Sequence, residues 1–136
     1  MEKKRKISVS SAKAKGRLLQ NFVAQKVSEV TGIKWGKDEL IQGREMGQSG
    51  VDVKLYGVAK EKFPYSVECK NQQAWSVPSW IKQAKANQQP GQDWLLIMTR
   101  NHFPTVVCME VDAFFDLYDQ YLALLWGKDH KIKDNK

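Results

Sequence analysis

The apolar residues change their spacing several times along this chain, and the order of those changes limits the fold more than any other feature. Over residues 14–31, Leu18, Leu19, Phe22, Val23, Val27 and Val30 recur at helical spacing, and Gly32 stands where a helix would end. Val51, Val53 and Leu55 then alternate with Asp52 and Lys54, the period of a strand. Residues 57–64 read as a turn, and residues 65–70 as a second strand expected to pair antiparallel with the first. A helix is expected over residues 78–88, opened by Pro78 and stopped by Pro90-Gly91. Strands at 94–99 and 105–111 follow, joined by a short loop at 101–104. Asp112 is placed to cap a last helix, whose Phe114, Phe115, Tyr118, Leu122 and Leu125 form a stripe expected to be buried. Residues 33–50 are polar and punctuated by Gly36, Gly43, Gly47 and Gly50, with one short strand near 39–42. Helix, strands, helix, strands, helix, with no internal repeat, predicts a single α/β domain with a mixed central sheet.

At 136 residues the chain is long enough to bury a core without disulfide or metal staples. With 42% hydrophobic residues it is no disordered polymer, and no apolar run approaches the roughly 18–20 residues of a membrane span. The basic N-terminus has no apolar stretch behind it, so no secretory signal is expected. Cys69 and Cys108 stand singly, which matches neither zinc spacing nor a disulfide framework. These features predict a reducing, cytoplasmic setting and no membrane partner.

The net charge of +7 is unevenly spread. Residues 1–17 hold seven basic side chains against Glu2, and residues 127–136 hold four against Asp129 and Asp134. The body between them is close to neutral. The expected organisation is a basic, disordered arm over 1–13, with Ser10 and Ser11 available to start a helix, a domain over 14–126, and a basic tail over 127–136. Basic segments at both ends raise affinity for polyanions, nucleic acid above all, although they also serve simply as solubilising tails.

The residues that could carry chemistry are concentrated in the second strand. Alternation places Ser66, Glu68 and Lys70 on one face and Val67 and Cys69 on the other. Antiparallel pairing can bring Asp52 beside Glu68. Two adjacent carboxylates repel and need a cation or a shared proton. Magnesium takes oxygen ligands of this kind, with the backbone carbonyl of Cys69 as a natural third donor. Lys70 would then stand by the metal-bound water, which suits metal-assisted hydrolysis of a phosphodiester. The alternative is a solvated strand face held by ordinary salt bridges.

Gly50-Val51-Asp52 followed by Val67-Glu68-Cys69-Lys70 resembles the PD-(D/E)XK nuclease superfamily. Lys15-Gly16-Arg17-Leu18-Leu19-Gln20 is similar to the opening helix of archaeal-type Holliday junction resolvases and related phage recombination endonucleases, and Ser49 to the serine of their loop. Residues 63–72 and Trp80-Ile81-Lys82-Gln83-Ala84 look like the phage-encoded members. The resemblance implies a restriction-endonuclease-like core, a mixed β-sheet flanked by helices. It also implies a homodimer with two active sites, each cutting one strand of a four-way DNA junction with magnesium, for which manganese substitutes. By that carry-over Asp52, Glu68 and the Cys69 carbonyl hold the metal, and Lys70 is catalytic. Gln20 stands where many members have Glu, a neutral and weaker ligand; Glu45 in the loop is a possible substitute.

Lys15, Arg17, Arg44, Gln48, Ser49 and Gln83 are the candidate DNA contacts. Trp75 and Trp80 could stack on exposed bases or belong to the core. His102 and His130 are isolated, and neither a Ser-His-Asp arrangement nor a Gly-rich nucleotide loop is present, so no nucleotide cofactor is expected. Three functions therefore compete: a junction-resolving nuclease, a nuclease acting on linear duplex or flaps, and a catalytically silent DNA-binding protein on the same fold. Tyr121 and Trp126, beyond the main stripe of the last helix, mark a possible dimer interface.

Overall fold

The computed structural model describes residues 8–45 and 50–132. It contains α1 (Val9–Thr31), β1 (Ile41–Gly43), β2 (Val53–Leu55), α2 (Val58–Lys62), β3 (Tyr65–Asn71), α3 (Val77–Ala86), β4 (Asp93–Thr99), β5 (Val106–Cys108) and α4 (Val111–Trp126). The five strands form one mixed sheet in the order β1-β2-β3-β4-β5. Only β3 and β4 are parallel; the other neighbours run antiparallel. This is the expected restriction-endonuclease-like α/β architecture. Among the described residues no helix is long and apolar enough to cross a membrane.

The alternation of β3 divides the core into two layers. Val67 pairs with Leu95 and faces α1, where it meets Leu19, Val23, Ala24 and Val27 together with Ile41 and Val53. On the other face Leu96, Trp94 and Met98 of β4 pack under Trp80 and Ala84 of α3. Ser66, Glu68 and Lys70 are paired with Trp94, Leu96 and Met98, so they belong to this second, covered layer. The strand face of Ser66, Glu68 and Lys70 is thus roofed by α3 and is not the solvated face of the alternative reading.

Local chemistry moves several boundaries. α1 begins at Val9 because the Ser8 hydroxyl accepts from the Ser11 N–H at 3.2 Å. Residues 9–13, read as part of a disordered arm, are therefore helical, and the cap is Ser8 rather than Ser10 or Ser11. Gly32 ends the helix as expected, at φ 73° with its N–H on the Ser28 carbonyl. The stretch read as a turn over 57–64 contains α2, which buries Ala59 in the first layer. The β5 strand stops at Cys108 because the chain leaves the sheet there: Glu110, not Asp112, is the N-cap of α4, and Asp112 lies in the first turn. Its carboxylate suits the positive end of the helix dipole there.

The largest departure is α4 itself. No residue of this helix is buried, and Phe114, Phe115, Tyr118 and Leu125 are all exposed. The stripe is real as a sequence pattern, but the described residues do not cover it.

Candidate active site

The site forms where β2 begins beside β3. The Asp52 N–H donates to the Val67 carbonyl at 2.9 Å, continuing the β2–β3 pairing one residue beyond the strand. The Arg44 N–H donates to the Asp52 carbonyl at 2.8 Å and does the same for β1 and β2. Three chain segments are thereby aligned at one level of the sheet. Gly50, at φ 105°, makes the turn that leads into Asp52, a conformation closed to most side chains.

Both carboxylates of the site are withdrawn from water, Asp52 and Glu68 each being only 2% exposed. The Asp52 Oδ2 accepts the Cys69 N–H at 2.7 Å. Its Oδ1 takes the Gln20 amide from α1 at 3.2 Å and the Arg44 guanidinium at 3.0 Å. Glu68 accepts the Asn87 amide on Oε2 at 3.3 Å and lies 3.8 Å from the Lys70 ammonium through Oε1. Lys70 also stands over the Trp80 ring at 6.0 Å. Ser66, the remaining polar group of this face, is satisfied by Gln92 and by the Gln89 N–H, which leaves Glu68 and Lys70 as its reactive pair.

Burial and mutual repulsion set the protonation of these groups. Glu68 is pushed up to about 7, chiefly by desolvation and then by the Asp52 charge; Asn87, Lys70 and Arg44 oppose the rise. Asp52 is also raised, by burial, against the pull of the Cys69 N–H and of Arg44. Burial drives the Cys69 thiol far above its usual range, so its sulfur is an inert neighbour. A pair of carboxylates held in this condition is stabilised by positive charge, part of which Arg44 and Lys70 supply. The donors fit magnesium or manganese: two carboxylates, with the Cys69 carbonyl on the same strand edge as the N–H that meets Asp52. No cluster of three or more His, Cys, Asp or Glu side chains suited to a metal occurs among the described residues, so solvent or substrate oxygen would complete such a shell.

The structure brings Gln20, Asp52, Glu68, Cys69 and Lys70 together. Arg44, expected as a DNA contact, lies on Asp52. Arg17 lines a cleft of about 550 Å³ beside the site, with Gln20, Lys37, Arg44 and Glu45. Lys15 ties the start of α1 to the far ends of β3 and β4: its carbonyl accepts from Asn71 and its ammonium reaches Asn101 at 3.4 Å. Gln83 is exposed on α3; it is Asn87, one turn later and not foreseen, that reaches Glu68. The i, i+4 spacing from Gln83 was the available signal for Asn87. Trp80 is core, whereas Trp75 packs edge-on against Phe103 with Arg100 stacked over both rings at 4.7 and 4.4 Å. Gln48 and Ser49 lie outside the described residues.

A protein-family model described as phage putative PDDEXK endonuclease matches residues 11–133, nearly the whole chain. The chain belongs to this phage PDDEXK endonuclease family. Its five-stranded mixed sheet flanked by helices agrees with that membership. No curated protein and no solved structure gives a match.

Proposed function

We propose that this phage PDDEXK endonuclease hydrolyses DNA phosphodiesters with magnesium, or manganese in its place, at four-way junctions, with a homodimer making paired nicks. The observation that carries the nuclease chemistry is the buried Asp52–Glu68 pair with Lys70 beside it on β3. A bound divalent ion would supply charge neutralisation and a more acidic water at neutral pH. Asp52 and Glu68 would hold that ion, and the Cys69 N–H and Gln20 fix the Asp52 carboxylate in place. The Lys70 ammonium, kept close by Glu68 and the Trp80 ring, stabilises negative charge developing on the scissile phosphate. Arg17 and Lys37 in the adjoining cleft give the phosphate backbone a path to the site. The basic residues of the N-terminal segment add sequence-independent affinity, so removing residues 1–7 should flatten the salt dependence of DNA binding.

A second reading draws support from Arg44. Its guanidinium supplies Asp52 with an internal cation, as a catalytically silent DNA-binding protein would need. One assay separates the readings: cleavage with magnesium of a synthetic four-way junction and of a linear duplex of the same sequence, with Lys70→Ala and Glu68→Ala as controls. Paired nicks at the junction, lost in both variants, are expected. Equal cutting of both substrates would keep the nuclease and remove the junction preference. Tight, metal-independent binding without cutting would establish the silent protein.

A further inference from the structure

We propose that α4 is a self-association surface, on which the α4 of a second copy packs antiparallel about a two-fold axis through Tyr118. The observation is an inverted helix. Val111, Phe114, Phe115, Leu117, Tyr118, Tyr121, Leu124, Leu125 and Trp126 are exposed, Leu124 by 88% and Trp126 by 75%. Of these, Val111, Phe114, Phe115, Tyr118, Tyr121 and Leu125 share one face and present on the order of 600 Å² of apolar surface, most of the about 800 Å² that each partner of a standard stable interface buries.

Spacing along the helix identifies the occupant. Val111, Tyr118 and Leu125 stand seven residues apart, with Phe114, Phe115 and Tyr121, Leu122 between them, so the apolar positions form a coiled-coil seam. That seam is symmetric about Tyr118: Phe115 and Tyr121 lie three residues to either side, Phe114 and Leu122 four, Val111 and Leu125 seven. A two-fold contact requires a surface complementary to itself, and an antiparallel pair centred on Tyr118 brings each of these residues opposite an apolar partner. The rings are already ordered along the seam, Phe114 against Phe115 at 5.3 Å, Phe114 against Tyr118 at 6.3 Å and Tyr118 against Tyr121 at 5.8 Å.

Charge excludes the other large ligand of this protein. Asp112, Asp116 and Asp119 form a stripe on the opposite side of α4, which repels DNA phosphates. Two residues that follow α4 also lie on that side: His130 and Lys131 reach Asp119 at 3.0 and 3.7 Å. A groove between β5 and α4, lined by Val107, Cys108, Met109, Val111, Phe114 and Phe115, continues the apolar surface beside the seam.

The test needs neither DNA nor metal, so its outcome is independent of the catalytic reading. Light scattering on the full chain at tens of micromolar should give twice the 15.6 kDa monomer mass. Tyr118→Asp combined with Leu125→Asp should give the monomer mass with helical circular dichroism retained, because neither side chain is buried within one chain. Position-specific crosslinking tests the axis. In a Cys108→Ser background, Tyr118→Cys should oxidise to a covalent dimer at least 100-fold faster than Leu124→Cys, which is more exposed but off the seam. A monomeric wild type, a dimer that survives the double substitution, or equal crosslinking at both positions would overturn the proposal.

Discussion

The β2–β3 site and α4 invert the usual partition of a folded chain in opposite directions. The site buries Asp52 and Glu68, while α4 leaves Phe115 and Leu125 at 63% and 60% exposure. Burying two carboxylates side by side is costly, and exposing a helix-length apolar arc forgoes the main driving force of folding. In the site, internal hydrogen bonds from Gln20, Cys69 and Asn87 hold the carboxylates in place. In α4 nothing among the described residues offsets the exposure. The lesson is that buried charge is held by a scaffold of its own, whereas an exposed apolar face shows only that a partner is missing.

The sharpest way to break this contrast is at the site. Lys70→Ala, or Glu68→Ala, should lower the rate of DNA cleavage by roughly 10³-fold or more while circular dichroism stays unchanged, since the lost term is charge stabilisation in the transition state. Retained cleavage would mean that the buried pair is only structural.

Stability tests the contrast directly. Leu96, fully buried under α3, should cost about 2–5 kcal/mol when replaced by Ala in urea unfolding. The same change at Leu124, measured in a monomeric Tyr118→Asp, Leu125→Asp background, should stay within about 0.5 kcal/mol. Equal losses would place α4 in the folding core.

Protonation gives a third expectation. Glu68 titrates near 7 in the folded protein and near 4.5 when freed, so its proton is bound more tightly in the fold. Its contribution to stability is whole below about pH 4.5 and disappears as pH rises through about 7. Metal-free protein should therefore lose up to roughly 3 kcal/mol across that window, and Glu68→Gln should abolish most of this pH dependence in chemical denaturation. Magnesium should restore stability at pH 8 in the wild type and not in the variant.

A smaller effect is expected at Asn87. Its amide favours the charged form of Glu68, so Asn87→Ala should move the midpoint of the cleavage pH profile upward with only a few-fold loss at the plateau. An unmoved midpoint would make Asn87 merely a helix cap.

How far the sequence could be read depended on whether a pattern was local or answered by a distant element. The alternation at Ser66–Lys70 was legible because strand geometry alone assigns its faces, and the pairing with Asp52 followed from one short connection. That Glu68 lies under a roof was not, because the cover comes from α3, which no spacing in β3 reveals. Residues 57–64 looked like a turn since Gly57 and Pro64 frame them, yet Ala59 drops into the first layer and winds the five residues between into a helix. The stripe of α4 was read correctly as apolar and incorrectly as buried: periodicity states that a face needs a partner and is silent on which molecule supplies it. Asn87 escaped notice because its role depends on where α3 ends above β3.

Pairing length sets how quickly each wall of the site can open. Glu68 and Lys70 sit within a seven-residue ladder to β4, while β1 and β2 are joined over three residues and β2 meets β3 through a single strand pair and the Asp52 N–H. Amides of the β3–β4 ladder should exchange with solvent only when the whole domain unfolds, and those around Arg44 and Asp52 through local opening many times more frequent. The site thus lies between a long strand pairing and a short one. Local opening of the shorter pairing would move Arg44 and Asp52 while Glu68 and Lys70 keep their places.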